Sequence, residues 1–155
     1  MCQRCAGLYI GGAYAALMVA IFRPKPVGWL LWVHGVAMLL MIPFGYHLLA
    51  QEGVMRTVTG QLFGFGLVYY LFLNPADKWN TWSDDEAWRA MAYVLFSLLG
   101  VPLLLLAILR GSTFVAGILA WTGFAGLLVL VVLVSANIFV FLSYGSQWWR
   151  ERGRA

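Results

Sequence analysis

The sequence predicts an all-α fold: a polytopic transmembrane helical bundle of about five spans, forming a single integral membrane domain over residues 1–155. Three observations carry that expectation. Hydrophobic residues make up 63% of the chain and charged residues only 10%, where a soluble domain carries roughly a quarter charged residues. The mean hydropathy is +0.83. The apolar residues stand in continuous runs instead of alternating, the pattern of helices rather than of a lipid-facing barrel. A soluble fold of ~150 residues buries only about 70% of its surface. The remainder here would form contiguous greasy patches. A soluble domain, a disordered chain and a secreted disulfide scaffold are therefore excluded.

A hydrocarbon core of ~30 Å takes ~20 helical residues to cross. The first predicted span covers residues 6–22 and is read as a span, not as a cleaved leader. It stops at Arg23-Pro24-Lys25-Pro26, two charges and two prolines, which break a helix. The second covers 27–50, with Pro43 as a kink, and Gln51-Glu52-Gly53 turns the chain. The third covers 56–73 and is expected to end at Asn74-Pro75. A polar interfacial loop, 74–87, follows. In it Ser83-Asp84-Asp85-Glu86 reads as a capping box for the fourth span, 88–109, which contains Pro102. From Ser112 to Trp149 no charge appears for 38 residues. No proline splits that run, and Gly123 and Gly126 are weak breakers. One long helix, spanning the membrane over 113–144 and leading to a basic tail at 148–155, is the expectation.

The formal net charge is +4, with a pI near 9.3. The ten Lys and Arg residues stand singly at the ends of apolar runs, as topology-setting and headgroup-contacting cations do. Nucleic acid is not an expected partner; the lipid bilayer is. Five spans would place Arg4, Arg56 and Arg110 on one side and the other seven cations on the opposite side. That asymmetry predicts an amino terminus outside and a carboxyl tail in the cytoplasm. Trp79, Trp82, Trp88, Trp148 and Trp149, with Arg56, are the expected membrane-interface residues.

Four groups of residues are candidates for chemistry or packing. Cys2-Gln3-Arg4-Cys5 sets two thiols at a spacing that closes a disulfide or supplies half of a zinc site. The alternative is a pair of cysteines at the membrane edge with no chemistry. Gly7, Gly11 and Ala15 share one helical face, and Gly60 and Gly64 another. Such small-residue faces let backbones approach closely. His34, His47, Gln61 and Asn137 are polar groups inside apolar runs, expensive in lipid unless paired or facing a cavity. His34 and His47 lie ~20 Å apart along a straight helix, too far to share a metal ion. Each could ligate a tetrapyrrole, or simply bond a neighbouring helix. The acidic run 84–86 is read as a cap rather than a cation site.

Two stretches carry a family resemblance. Cys2-Gln3-Arg4-Cys5-Ala6-Gly7-Leu8-Tyr9-Ile10-Gly11 resembles the Cys-x-Arg-Cys-x-Gly-(Ile/Leu)-Tyr-x-Gly signature of the domain of unknown function 2085 family, predicted prokaryotic integral membrane proteins. Arg56-x-x-Thr59-Gly60-x-x-x-Gly64 resembles that family's second motif. The sequence begins inside the signature, where family members usually carry an upstream Cys-His-Gln element, and it departs from the pattern in placing His47 before Gln51 where the family tends to have Asp and in a shortened segment between Gln51 and Arg56. The resemblance implies a helical fold in a prokaryotic inner membrane and brings no activity with it.

No nucleotide loop, zinc-protease pair or nucleophile elbow occurs in the sequence. The leading functional expectation is a non-enzymatic structural or accessory subunit that packs against other membrane subunits in a larger complex. A second is a subunit contacting a tetrapyrrole, quinone or lipid through His34 or His47 in a photosynthetic or respiratory complex. A third is a membrane thiol/disulfide or metal-binding protein using Cys2 and Cys5. No particular cofactor is implied.

Overall fold

Backbone groups in lipid must pair within their own segment, which a helix does, and helix is the only regular structure among the described residues. The computed structural model describes the backbone of residues 3–45, 53–78 and 87–152, and side chains over 5–44, 53–78 and 87–144. Within these lie α1 (Gln3–Phe22), α2 (Gly28–Leu39), α3 (Met41–Gly45), α4 (Gly53–Lys78), α5 (Ala87–Arg110) and α6 (Thr113–Arg152). The chain is an α-helical membrane protein. Three stretches, Cys5–Phe22, Ala87–Arg110 and Thr113–Tyr144, are long and apolar enough to cross a bilayer, and Gly28–Phe44 is a shorter apolar one. At 26 residues α4 has the length to cross, but it carries Arg56, Thr57, Thr59, Gln61 and Asn74 along it.

Two prolines act differently from the sequence expectation, for one physical reason. Proline removes the hydrogen bond to the carbonyl four residues earlier and crowds it. Pro43 therefore breaks the second segment at Leu40, between α2 and α3, and not at the proline itself. Pro75 does not end the third segment: α4 continues through it to Lys78, because the carbonyl it frees, on Leu71, finds another donor. Asn137 Nδ2 on α6 lies 2.6 Å from that oxygen. The capping sequence Ser83–Glu86 and the turn at Gln51-Glu52 lie outside the described residues.

Two links are sharp. α1 closes on Arg23, whose amide donates to Val19 O at 2.8 Å and whose φ is +47°. A left-handed residue of this kind is usually glycine, and the conformation costs an arginine about 1–2 kcal/mol. Gly111, at φ +60°, turns the chain after α5, and Ser112 Oγ accepts from the Val115 amide at 3.2 Å to start α6.

The contacts set helix direction. Gly7 meets Thr57, Gly11 meets Gln61 and Gly12 meets Val68, so α1 and α4 run parallel. Tyr70 hydroxyl donates to Leu31 O while Gly66 packs on His34 and Met38, so α2 runs antiparallel to α4. Phe96 stacks on Phe22 while Gly100 packs on Tyr14, so α5 opposes α1. Tyr9 and Ala13 meet Gly126, whereas Ala20 shares a cavity with Val132 and Ala136, so α6 runs with α1. The rods alternate in direction, and α1 and α4 form the centre, with Val19, Val68, Tyr69 and Leu30 fully enclosed.

α6 is a single helix of 40 residues, ~60 Å long. Only 17% of its apolar stretch is buried, against 39% for α1. A strip containing Gly126, Leu133 and Val140 turns inward at seven-residue spacing, the repeat that keeps one seam against a neighbour. Trp121 and Phe141, on opposite faces, are each 76% exposed.

Candidate functional site

The two small-residue stripes meet each other. A Cβ on Gly7 would overlap the Thr57 carbonyl, and one on Gly11 would sit 2.8 Å from Gln61 Cα. From the other side, a Cβ on Gly64 would lie 2.6 Å from Leu8 O and 3.0 Å from Gly12 N. Gly60 is buried on α4, and Ala15 is enclosed farther along α1. Gly7, Gly11 and Gly64 thus find their partner within the chain, in the α1–α4 contact. Gly66, Gly100 and Gly126 are equally tight contacts, against His34 O, the Tyr14 ring and the Tyr9 carbonyl. The sequence reading did not single these out for packing. Lone glycines in otherwise apolar helices, where glycine costs helix stability, were the available signal.

His34 sits where α2, α4 and α5 converge. Leu30, His34 and Ala37 face inward at helical spacing. The ring is fully buried, 4.0 Å from the Tyr69 ring and 4.2 Å from Phe65 between centroids. Its Nδ1 is 2.6 Å from Leu30 O, and its Nε2 is 2.9 Å from the Tyr93 hydroxyl. A carbonyl can only accept, so Nδ1 carries the proton. In the neutral ring Nε2 then accepts from Tyr93. Both nitrogens are engaged inside the protein, and neither presents a lone pair to an axial metal. Tyr93, the partner, stood in the sequence as one aromatic among many.

A second polar node joins α4 to α6. Asn137 Nδ2 donates to Leu71 O and, at 2.8 Å, to Leu133 O, while its Oδ1 accepts from Asn74 Nδ2 at 3.2 Å. Farther along, Lys78 Nζ donates to Ser143 Oγ and lies 5.2 Å from the Tyr144 ring centroid. Gln61 is 4% exposed and lines a cleft of about 340 Å³ with Tyr14, Gly100, Leu104 and Thr122, and its Oε1 has no hydrogen-bond partner among the described residues.

The remaining candidates are dispersed. Cys5 is half-buried in the first turns of α1, and Cys2 lies outside the described residues. His47, Trp79 and Trp82 also lie outside them, as do the side chains of Trp148 and Trp149. Arg56 is exposed near the start of α4, and Trp88 is exposed near the start of α5, under the Arg89 guanidinium at 5.1 Å. Among the described residues no three His, Cys, Asp or Glu side chains come together as a metal site.

Fold and polar nodes together define a class: a small helical membrane protein whose polar interior groups serve chiefly to fasten helices. Comparison with protein-family models, with curated proteins and with solved structures finds no match to this chain.

Proposed function

We propose that this protein is a structural subunit that packs within a larger membrane assembly of a prokaryotic inner membrane. One observation carries the reading: the apolar length of α6. Thr113–Tyr144 is 32 residues long and free of charge, ~48 Å of helix. Even at a tilt of about 40°, the upper end of the usual range, it would project ~37 Å, against a hydrocarbon core of ~30 Å. The excess must lie at polar depth, where exposed apolar side chains want a protein neighbour. Phe114 and Phe141, near the two ends of that stretch, are both about three-quarters exposed, at 77% and 76%.

A photoreactive residue replacing Phe114 or Phe141, irradiated in native membranes, tests this. A discrete protein adduct from at least one end is the expected result. Adducts to lipid alone at both ends would refute the proposal. The same reading places the amino terminus outside and the tail in the cytoplasm. Its support is the gathering of Arg23, Lys25, Lys78 and Arg89 at the ends of helices that share one side of the bundle. Kinship with the domain of unknown function 2085 family is proposed on the two motifs, whose glycines Gly7, Gly11 and Gly64 share one packing reason, the α1–α4 contact.

A further inference from the structure

At the end of α1, Arg23 does more than stop a helix. It is a lining residue of a cavity of about 350 Å³ between α1, α4 and α6, walled by Ala20, Phe72, Pro75, Leu133 and Ala136. That cavity continues through Ala20, Phe72, Val132 and Leu133 into a second of about 510 Å³ that reaches Ala13 and Leu128. The two form one groove along the α1–α6 contact. It exists because three of the four α1 residues that line the second cavity, Ala13, Ala16 and Ala20, carry only a methyl group, the fourth being Leu17. From Ala13 to Arg23 is ten residues, ~15 Å of helix. That length is the hydrocarbon depth of one leaflet, half of ~30 Å.

The groove is therefore apolar along its length and cationic at its mouth. Arg23 is its only charged lining residue among those described. Among the described residues no carboxylate pairs with the Arg23 guanidinium; the described carboxylate at this end, Asp77, is exposed. Lys78, at the same end, is turned instead toward Ser143 and the rings of Phe139 and Tyr144. The left-handed backbone at Arg23 holds the arginine at the helix end, where the groove opens.

We propose that this groove holds one acyl chain of an anionic phospholipid, with the headgroup phosphate against the Arg23 guanidinium. The pairing is the planar, charge-assisted contact that arginine makes with phosphate. It stands independently of any partner subunit.

Purified protein in nanodiscs containing phosphatidylglycerol and phosphatidylcholine of identical acyl chains, released for native mass spectrometry, reads the retained lipid directly. Wild type should retain phosphatidylglycerol over phosphatidylcholine about fivefold, the scale of one basic residue near a headgroup. Arg23→Gln should bring the ratio close to one, and Arg23→Lys should keep most of it. Ala20→Phe leaves the cation in place and fills the groove, so it should lose both lipids; Ala136→Leu does the same from α6 if the first variant fails to fold. Glycerol phosphate without chains should not displace the lipid. Equal retention by wild type, a preference that persists in Arg23→Gln, retention in a folded groove-filling variant, or displacement by glycerol phosphate would each overturn the proposal.

Discussion

Adding one methyl group to Gly64 is the sharpest test of how this bundle is held. The new Cβ would stand 2.6 Å from Leu8 O and 3.0 Å from Gly12 N. Both are backbone atoms of a packed helix, so no side chain can rotate away. Ordinary contact begins near 3.4 Å, so α1 and α4 must separate locally by about 0.8 Å. Overpacking of this kind costs roughly 1–3 kcal/mol, to be set against a gain of up to ~1 kcal/mol from replacing glycine within a helix. Gly64→Ala should therefore lose about 1–2 kcal/mol net. Gly117 on α6 supplies the control, since nothing lies within 4 Å of a Cβ built there. Gly117→Ala should be neutral or slightly stabilising. Equilibrium unfolding in mixed micelles, as sodium dodecyl sulfate is raised against a mild detergent, measures both. If Gly64→Ala unfolds at the same detergent fraction as Gly117→Ala, the parallel α1–α4 seam is wrong.

Two further substitutions address the polar nodes. Tyr93→Phe strips the donor from His34 Nε2 and should cost about 1–2 kcal/mol, within the range of interhelical hydrogen bonds in membranes and of buried orphans. His34→Phe in the same chain removes the orphan and should recover most of that loss; a double variant worse than the sum of the singles would show that the ring has another role. Asn137→Leu leaves the Leu71 carbonyl bare and should cost a similar ~1–2 kcal/mol. Adding Pro75→Ala restores an amide for that carbonyl, so the pair should be more stable than Asn137→Leu alone by the same unfolding assay.

Much of the architecture was legible before any coordinates. Charges and prolines cut the chain at Arg23–Pro26 and at Arg110-Gly111, and α1 and α5 end at those places. Asn74-Pro75 misled because a proline ends a helix only when the carbonyl it frees has nowhere to go. Here the acceptor's partner, Asn137, lies more than sixty residues away in sequence. His34 and Asn137 stood out as polar residues in apolar runs, but their partners, Tyr93 and Leu71 O, left no sequence signal. One is a common aromatic and the other a backbone atom.

What the amino-acid order determined alone was the solvent and the broad segments: lipid outside, helices between the breaks, and small residues where the backbones of α1 and α4 touch. Which face of each helix turned inward was decided only in three dimensions. In water a helix declares its inner face by amphipathicity. Lipid tails are as apolar as leucine, so they exert no such sorting. α6 shows the consequence: apolar on every side, it is placed by Gly126 against Tyr9 and by Asn137 against the carbonyl that Pro75 released.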